Sequence, residues 1–326
     1  MDRPLISFAL FCYNQEEFIE EAVRAALAQT YSPLQIVISD DGSKDRTFEI
    51  VKAIVSDYQG PHEVLLNRNE RNLGIGPHVN KVMTELVKGE LIITAAGDDI
   101  SVPERTETVF RAWAATGRRA DSILNGYQKM TIEGKLCDVK TPTSQMRFWN
   151  ETITSHCKKN VPMIMPGCTQ SCSANVFGRF GKILYAQHIE DDTITLRALS
   201  MGGVLLIPDV LTKWRMAGAV SKAKAPEYMW EQDRTYRHEV AEQLLADSRR
   251  MDNLPFWRRC FIRHVARANM LLAHPQSMFI RLMGVLLLSF LCSPTATFHN
   301  FKLVHRKIGA IQWRMILGLT KRERCA

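Results

Sequence analysis

The sequence lacks several features that would place it in well-known classes of protein. Its 326 residues contain no long apolar run, whereas a membrane-spanning helix needs about 20 such residues. Its eight cysteines are scattered and form no Cys-x-x-Cys pair, which favours reduced thiols over a disulfide framework or a zinc site. The segment before the first predicted strand, at Leu5, is too short to supply the apolar core of a signal peptide. These absences predict a cytoplasmic location.

Two common phosphate-binding patterns are also missing. The glycine-rich loop NLGIG, from Asn72 to Gly76, fits neither GxxxxGK[ST] nor GxGxxG. Glycine clusters mostly mark turns. The sequence therefore disfavours a nucleoside triphosphatase and a dinucleotide-dependent oxidoreductase.

Positive charge is concentrated near the C-terminus. Residues 255–326 hold 12 Lys and Arg and one acidic residue, whereas residues 1–254 hold 30 basic and 33 acidic residues. The body is therefore close to neutral, and the overall charge of +8 comes from the C-terminal segment. This distribution predicts a local anionic partner and argues against nucleic acid.

Short apolar runs alternate with helix-like patterns through residue 99 and predict an α/β fold with a mainly parallel sheet. Beyond residue 116, a strand at Ser122–Tyr127 and a hairpin around Gly134 follow. The predicted early strands are Leu5–Cys12, Gln35–Ser39, Glu63–Asn67 and Leu91–Ile93, and helices are predicted over Gln15–Gln29, around Val51, from Pro77 to Val87 and from Pro103 onwards.

Two pairs of aspartates follow predicted strands, where open α/β sheets bind ligands. Asp98–Asp99 suit Mg²⁺ or Mn²⁺ bound to a diphosphate, because such ions take one or two carboxylates plus phosphate oxygens. Asp40–Asp41 suit a ribose or a base edge. The alternatives are a helix N-cap in a solvated loop for the first pair, and turn chemistry for the second.

Three later stretches carry candidate site residues. Pro166–Ser171 is a polar loop of small residues, and an ordinary surface connection explains it equally well. Glu190, Asp191 and Asp192 open a helix, where capping and the helix dipole favour acids in any case. Trp214–Arg215 follow a predicted strand, Ile207–Leu211.

Taken together, the stretches FALFCYNQEEFIEEAVRAALAQTY, IVISDDGSKDRT and NLGIGPHVNKVMTELVKGELIITAAGDD resemble the donor-binding half of the family-2 inverting glycosyltransferases. The resemblance covers residues 5 to about 216. It implies a GT-A fold, a nucleotide-diphosphate-sugar donor and a divalent metal, Mg²⁺ or Mn²⁺. One departure is His78–Val79–Asn80, where many members have Ala-Arg-Asn. The QxxRW motif of processive polymerases is absent, which disfavours a polymerase.

The resemblance also implies residue roles. Asp99 would bind the metal, Asp191 would be the general base with Glu190 beside it, and the 166–171 loop would border the acceptor. The helix N-terminus is expected to keep Asp191 ionised. Donor contacts are implied for Tyr13, Asn14, Asp40, Asp41, Asn72, Asp98, Trp214 and Arg215.

The predicted organisation is a catalytic domain over 1–220, with a donor half at 1–116 and an acceptor half at 117–220, and a basic helical extension over 221–326. The extension includes a polar helix pattern, Glu227–Met251, and a basic amphipathic one, Phe256–Leu272. Met283–Cys292 is apolar, and Phe301–Leu319 mixes basic and apolar residues. Such helices either lie in a membrane interface or pack on the catalytic domain with a solvated basic face.

The implied setting is sugar transfer to a lipid-linked glycan in bacterial-type surface polysaccharide assembly, at the inner face of the cytoplasmic membrane. A sugar nucleotidyltransferase and an inactive glycosyltransferase-like scaffold remain alternatives. The first would need a basic glycine-rich N-terminal loop, but Tyr13–Glu17 contains no Lys or Arg. Intact Asp98, Asp99 and Asp191 argue against the second.

Overall fold

A mixed β-sheet runs through the centre of the molecule. The computed structural model describes residues 2–149, 165–184, 190–216 and 238–272. Within these ranges the sheet order is β3-β2-β1-β4-β9-β6-β10-β5, with β7 beside β6 and β8 beside β10. The strands are β1 (Ile6–Cys12), β2 (Leu34–Asp40), β3 (Glu63–Arg68), β4 (Leu91–Ala96), β5 (Ile100–Ser101), β6 (Ser122–Met130), β7 (Leu136–Lys140), β8 (Arg147–Phe148), β9 (Gln170–Ser173) and β10 (Val204–Arg215).

Helices flank this sheet. A π-helical turn, Val82–Leu86, continues α3, and a 3₁₀ turn, Gly167–Thr169, precedes β9. The helices are α1 (Ile19–Leu27), α2 (Thr47–Ser56), α3 (Ile75–Lys81), α4 (Arg105–Ala115), α5 (Asn175–Phe180), α6 (Glu190–Leu199), α7 (238–247) and α8 (Phe256–Leu272).

Side chains of the central strands alternate between two apolar cores, because successive residues of a strand point to opposite faces. In β2, Ile36 and Ile38 join a core with α1 and α4, whereas Val37 joins a second core with α3 and α5. In β4, Ile93 and Ile92 divide between the two cores in the same way. Burial on both faces explains why these strands are continuous apolar runs in the sequence.

The predicted alternation of strands and helices is confirmed. The bounds of the four early strands differ from the predicted bounds by a few residues at most. Two helices begin later than predicted. The backbone from Gln15 to Phe18 forms a turn in which Phe18 and Ile19 both donate to the carbonyl of Gln15, so α1 begins at Ile19. Pro103 likewise lies in a turn before α4, which begins at Arg105.

The predicted polar loop at 166–171 is in part an internal strand. Gln170 and Ser171 belong to β9, which pairs antiparallel with β4 and β6 and is buried. The strand has no apolar alternation, and it is stabilised by polar contacts such as Ser173 Oγ donating to Asp121 Oδ1 at 2.7 Å. The surface-connection alternative is therefore wrong for this part of the stretch.

Residues 238–272 of the predicted C-terminal extension pack on the catalytic region. Leu244 of α7 and Ile262 of α8 share an apolar cluster with Leu196 of α6. Arg197 of α6 is fully buried and donates to both carboxylate oxygens of Asp247, at 2.8 and 3.1 Å. The predicted boundary at 220 stays a prediction, but this packing crosses it. Met283–Cys292 and Phe301–Leu319 lie outside the described residues.

The Arg197–Asp247 pair gives a test of this packing. Asp247→Asn removes the charge partner of a buried guanidinium, so we expect the free energy of unfolding in urea to fall by about 3 kcal/mol or more. Asp252→Asn is the control, because its pair with Arg179 is largely exposed and should contribute less than about 1 kcal/mol. Equal, small losses in both variants would contradict the buried ion pair.

Candidate functional site

The candidate residues collect at one edge of the sheet. Strands β1, β2 and β4 are parallel and end there, and β6 and β10 run in the same direction. Tyr13–Asn14 and Asp98–Asp99 lie in the turns that follow β1 and β4. Asp40 is the last residue of β2, Asp41 follows it, and Arg215 is the last residue of β10. This is the edge at which open α/β sheets bind ligands.

Asp40 and Asp41 order the loops around this edge. Asp40 is fully buried and accepts hydrogen bonds from the backbone N–H and the hydroxyl of Ser43. Asp41 accepts hydrogen bonds from Leu73 N and Gly74 N, each at 3.0 Å, and from Asn69 Nδ2 at 2.8 Å. Asp40 therefore stabilises the turn that follows β2, and Asp41 holds the NLGIG loop in place. Their predicted contacts with ribose or base stay predictions.

The loop after β1 presents an aromatic side chain beside this pair. Asn14 has a left-handed backbone, with φ of 51°, and its Oδ1 accepts a hydrogen bond from Lys44 N at 2.8 Å. The side chain of Asn72 is similarly occupied, since Oδ1 accepts from Gly74 N at 2.7 Å. Tyr13 is 37% exposed, which leaves its ring available for stacking on a planar ligand.

Asp98 and Asp99 form a turn between β4 and β5. Asp99 is buried, and desolvation together with the neighbouring Asp98 charge raises its pKa to about 7. Burial also raises the pKa of Asp98. Asp99 Oδ1 accepts a hydrogen bond from the backbone N–H of Arg215 at 2.8 Å. Two adjacent carboxyl groups held out of water favour a bound cation, which would offset both desolvation and mutual repulsion.

These carboxylates fit one part of a magnesium or manganese site. Among the described residues, no three His, Cys, Asp or Glu side chains form a group that could hold a metal. A complete ligand set would therefore need oxygens from a diphosphate and from water. Mg²⁺ is commonly bound in this way, through one or two carboxylates plus substrate phosphates.

The turn at Gly167–Cys168 lies between Asp99 and Asp191. Thr94 of β4 donates from its hydroxyl to the carbonyl of Gly167 at 3.0 Å. The Cys168 thiol lies beside Asp99, and burial together with the charge of Asp99 raises its pKa. On the other side, a Cβ added at Gly167 would lie 3.3 Å from Asp191 Oδ2. The turn therefore brings the candidate metal ligand and the candidate base to one small region, and it passes too close to Asp191 for a side chain to fit without displacement.

Two acidic residues at the start of α6, Glu190 and Asp191, have raised pKa values, which is contrary to expectation. Burial, and then the charges of Glu190 and Asp192, raise the pKa of Asp191 well above its usual range. Burial likewise raises the pKa of Glu190. The helix N-terminus was expected to lower the pKa of Asp191, but the shift is in the opposite direction, because desolvation and two neighbouring acids outweigh the helix dipole. A carboxylate with a raised pKa is a stronger proton acceptor once it is ionised.

Two further residues support the site: Gln170, which belongs to the predicted 166–171 stretch, and Arg105, which was missed in the sequence. Arg105 is fully buried and donates to the Thr94 carbonyl and the Ser101 hydroxyl, each at 2.9 Å. Burial lowers its pKa to about 10, and its charge acts on Asp99. Gln170 Nε2 contacts the carbonyl of Asp191 at 3.3 Å. An arginine in the first turn of an amphipathic helix gives no sequence signal of burial.

Trp214 and Arg215 lie in β10 itself rather than in a loop after it. Trp214 is partly buried and contacts the ring of Tyr127 edge-on, with centroids 5.6 Å apart. The side chain of Arg215 is 3% exposed, and its guanidinium forms an ion pair with Glu21. Their donor contacts stay predictions.

The chain is similar to known glycosyltransferases. The family model described as glycosyl transferase family 2 matches residues 7–178. The chain is 26% identical to the uncharacterized glycosyltransferase MJ1057 of Methanocaldococcus jannaschii over 48% of this chain and 55% of that protein. It is 24% identical to the uncharacterized glycosyltransferase RT0329 of Rickettsia typhi over 66% of this chain and 65% of that protein. The matches thus span less than two thirds of these relatives.

Solved structures share the fold. S. aureus TarS 1–349 in complex with UDP-GlcNAc superposes with a TM-score of 0.55 at 15% identity, covering 93% of this chain and 91% of that one. The mannosyltransferase PcManGT from Pyrobaculum calidifontis, in complex with GDP-Man and Mn²⁺, gives 0.50 at 15% identity, covering 97% and 84%. The expected GT-A fold is confirmed.

The raised pKa of Asp99 predicts a pH-dependent metal site. A proton and a cation compete for this carboxylate, so affinity for Mn²⁺ with a sugar nucleotide should fall as pH is lowered through 7, by about tenfold per unit below the pKa. UDP-GlcNAc and GDP-mannose suit calorimetry at pH 8 and pH 6, because their diphosphate diesters do not titrate in this range.

Asp99→Asn should bind weakly at both pH values. Asp138→Asn, which alters an exposed acid on β7, should keep the pH dependence of the unaltered protein. Equal affinity of that protein at pH 8 and pH 6 would contradict a metal site on Asp99.

Proposed function

Because the chain belongs to glycosyl transferase family 2, we propose that it moves one sugar from a nucleotide-diphosphate-sugar to a hydroxyl acceptor, with inversion at the anomeric carbon. The observation that carries this proposal is the Gly167–Cys168 turn, in which Cys168 lies beside Asp99 and Gly167 lies so close to Asp191 that an added Cβ would be 3.3 Å from its Oδ2. A donor-side metal ligand and an acceptor-side base are what such a transfer requires.

On the donor side, Asp99 would hold Mg²⁺ or Mn²⁺, with Asp98 beside it. The cation supplies charge stabilisation to the leaving diphosphate. The base and ribose would be contacted from the turn after β1 by Tyr13 and Asn14, from the end of β2 by Asp40 and Asp41, and from the loop after β3 by Asn72. Trp214 would add a donor contact from β10. The bond that breaks joins the anomeric carbon to a phosphate oxygen, and its electron pair leaves with the diphosphate.

On the acceptor side, Asp191 would accept the proton of the attacking hydroxyl as its oxygen bonds to the anomeric carbon. The carbon is oxocarbenium-like at the transition state, so partial deprotonation of the nucleophile favours the step. Attack from the face opposite the leaving diphosphate gives inversion. Glu190 raises the proton affinity of Asp191 through its charge and would border the acceptor.

A panel of radiolabelled sugar nucleotides tests the reaction class. We expect at least one member to be hydrolysed slowly, with release of free sugar and nucleoside diphosphate, and the release to stop when a chelator is added. Formation of a sugar nucleotide from a sugar phosphate and a nucleoside triphosphate would instead identify a nucleotidyltransferase.

Asp191→Asn tests the base. The change preserves size and removes the proton acceptor, so we expect transfer to fall by about a hundredfold or more, with metal-dependent donor binding nearly unchanged. Asp192→Asn is the matched control and should lower the rate of transfer only slightly. In the unaltered protein the rate should rise with pH through the raised pKa of Asp191, because only the ionised form accepts a proton. Transfer that survives in Asp191→Asn but is lost in Asp192→Asn or Glu190→Gln would place the base on another residue.

We further propose that the C-terminal extension holds the enzyme at an anionic membrane surface, where a lipid-linked acceptor would lie. Phe256 and Trp257, at the start of α8, are 71% and 61% exposed, and the guanidinium of Arg258 lies 5.1 Å from the Trp257 ring. The opposite side of α8 is packed through Ile262 and Ala266. Exposed aromatics beside arginines favour a lipid interface. No helix in the described ranges has both the length and the apolar character needed to cross a bilayer.

Cosedimentation of the full chain with phosphatidylglycerol vesicles tests this surface. We expect binding that weakens strongly with salt, since each basic residue near the surface contributes about 1 kcal/mol. Replacing Phe256 and Trp257 by Ser should reduce binding, whereas Val139→Ser, at an exposed position on β7, should not. Equal binding in both variants would show that the start of α8 is not the contact.

A further inference from the structure

Arg215 is enclosed by protein groups at the end of β10. Its Nε donates to the backbone carbonyl of Asp98 at 3.0 Å, and its Nη1 donates to the carbonyl of Ile132 at 2.9 Å. Its Nη2 pairs with the carboxylate of Glu21 on α1. The ring of Phe18 lies 4.7 Å from the guanidinium carbon. The side chain thus joins α1, the turn after β4 and the turn after β6.

The backbone of the same residue holds the second aspartate of the turn. Arg215 N–H donates to Asp99 Oδ1 at 2.8 Å, while the guanidinium holds the carbonyl of Asp98. One residue therefore fixes both members of the acidic pair, one through its carboxylate and the other through its backbone. Groups that orient metal ligands in this way strongly affect metal affinity.

The ion pair with Glu21 orients the guanidinium. Arg215 is 3% exposed, whereas the side chain of Glu21 is 59% exposed on α1. Since the planar fork of arginine matches several acceptors at fixed angles, the carboxylate on one side sets the direction of the bonds on the other. Glu21 itself belongs to a helix, not to the turns that carry the candidate donor contacts.

We infer that Arg215 is a positioning residue that presents the Asp98–Asp99 turn to the metal–diphosphate, and that Glu21 acts on the same turn through Arg215. This inference rests on the proposed function, because it concerns the proposed metal site. It differs from a direct contact between Arg215 and the diphosphate, for which Glu21 would be irrelevant.

Glu21→Ala separates the two roles. The probe is calorimetric binding of Mn²⁺ with UDP or with GDP, whichever binds the unaltered protein, with a chelator blank. We expect the dissociation constant to rise about three- to tenfold in Glu21→Ala and about 10- to 100-fold in Arg215→Ala. Glu20→Ala is the matched control, since Glu20 is the adjacent acid on α1 and pairs with exposed Arg24. This variant should bind as the unaltered protein does.

A double variant and melting temperatures complete the test. If Glu21 acts through Arg215, Glu21→Ala adds nothing to the loss in Arg215→Ala. Glu21→Gln keeps an acceptor oxygen, so its dissociation constant should lie between those of Glu21→Ala and the unaltered protein. Glu21→Ala removes the charge partner of a buried guanidinium and should melt somewhat below Glu20→Ala. Both variants should still melt well above the temperature of the titration, so that the lost affinity is not lost fold. Should Arg215→Ala fail to fold, the Glu21 variants decide the matter alone.

Unchanged affinity in Glu21→Ala would overturn the positioning role while leaving the proposed function intact. So would additive losses in the double variant. Absence of metal-dependent nucleotide binding in the unaltered protein would instead overturn the proposed function itself.

Discussion

Burial of two adjacent carboxyl groups at the end of β4 is the constraint on which the rest of the site depends. Asp99 is nearly inaccessible to water, and its pKa of about 7 reflects desolvation together with the charge of Asp98. Groups around the pair supply hydrogen bonds or positive charge. Arg215 supplies a backbone N–H, Cys168 a thiol, and Arg105 a buried charge. A divalent cation with a diphosphate would complete this balance.

The same constraint explains the geometry on the acceptor side. Because Cys168 lies beside Asp99, the turn that contains it lies at the carboxyl edge of β4, and Gly167 is then so close to Asp191 that an added Cβ would be 3.3 Å from its Oδ2. Asp191 is in turn surrounded by Glu190 and Asp192, which raise its proton affinity. Asp99 and Asp191, the residues proposed for the donor and acceptor sides, therefore lie in one polar cluster, and a shift of the 167–168 turn would disturb both.

The sequence predicted those parts of the molecule that local chemistry determines. Strands β1, β2 and β4 are buried on both faces and so are continuous apolar runs, and the aspartate pairs follow them at once. The ordered motifs then identified the family. What could not be predicted depends on partners far along the chain. β9 is a polar strand whose Ser173 is stabilised by Asp121, and Arg197 is buried only because Asp247 meets it.

The electrostatic error at Asp191 has the same origin. Its position at the start of α6 predicts stabilisation of the charged form, as the sequence suggested. The degree of burial, which the sequence did not reveal, reverses the direction of the pKa shift. The late start of α1 at Ile19 is a smaller example, since Gln15 is held in a turn by Thr47 Oγ1, which accepts its backbone N–H at 2.7 Å.

The proposed function requires that the polar cluster around the Gly167–Cys168 turn bind the metal–diphosphate at Asp99 and present the sugar to Asp191. Anomalous scattering from Mn²⁺ in crystals grown with a bound sugar nucleotide measures this directly. We expect a manganese peak coordinated by Asp99 and by diphosphate oxygens, with the anomeric carbon on the Asp191 side of the Gly167–Cys168 turn. A nucleotide bound away from the carboxyl edge of β4, or a manganese ion without Asp99 among its ligands, would contradict it.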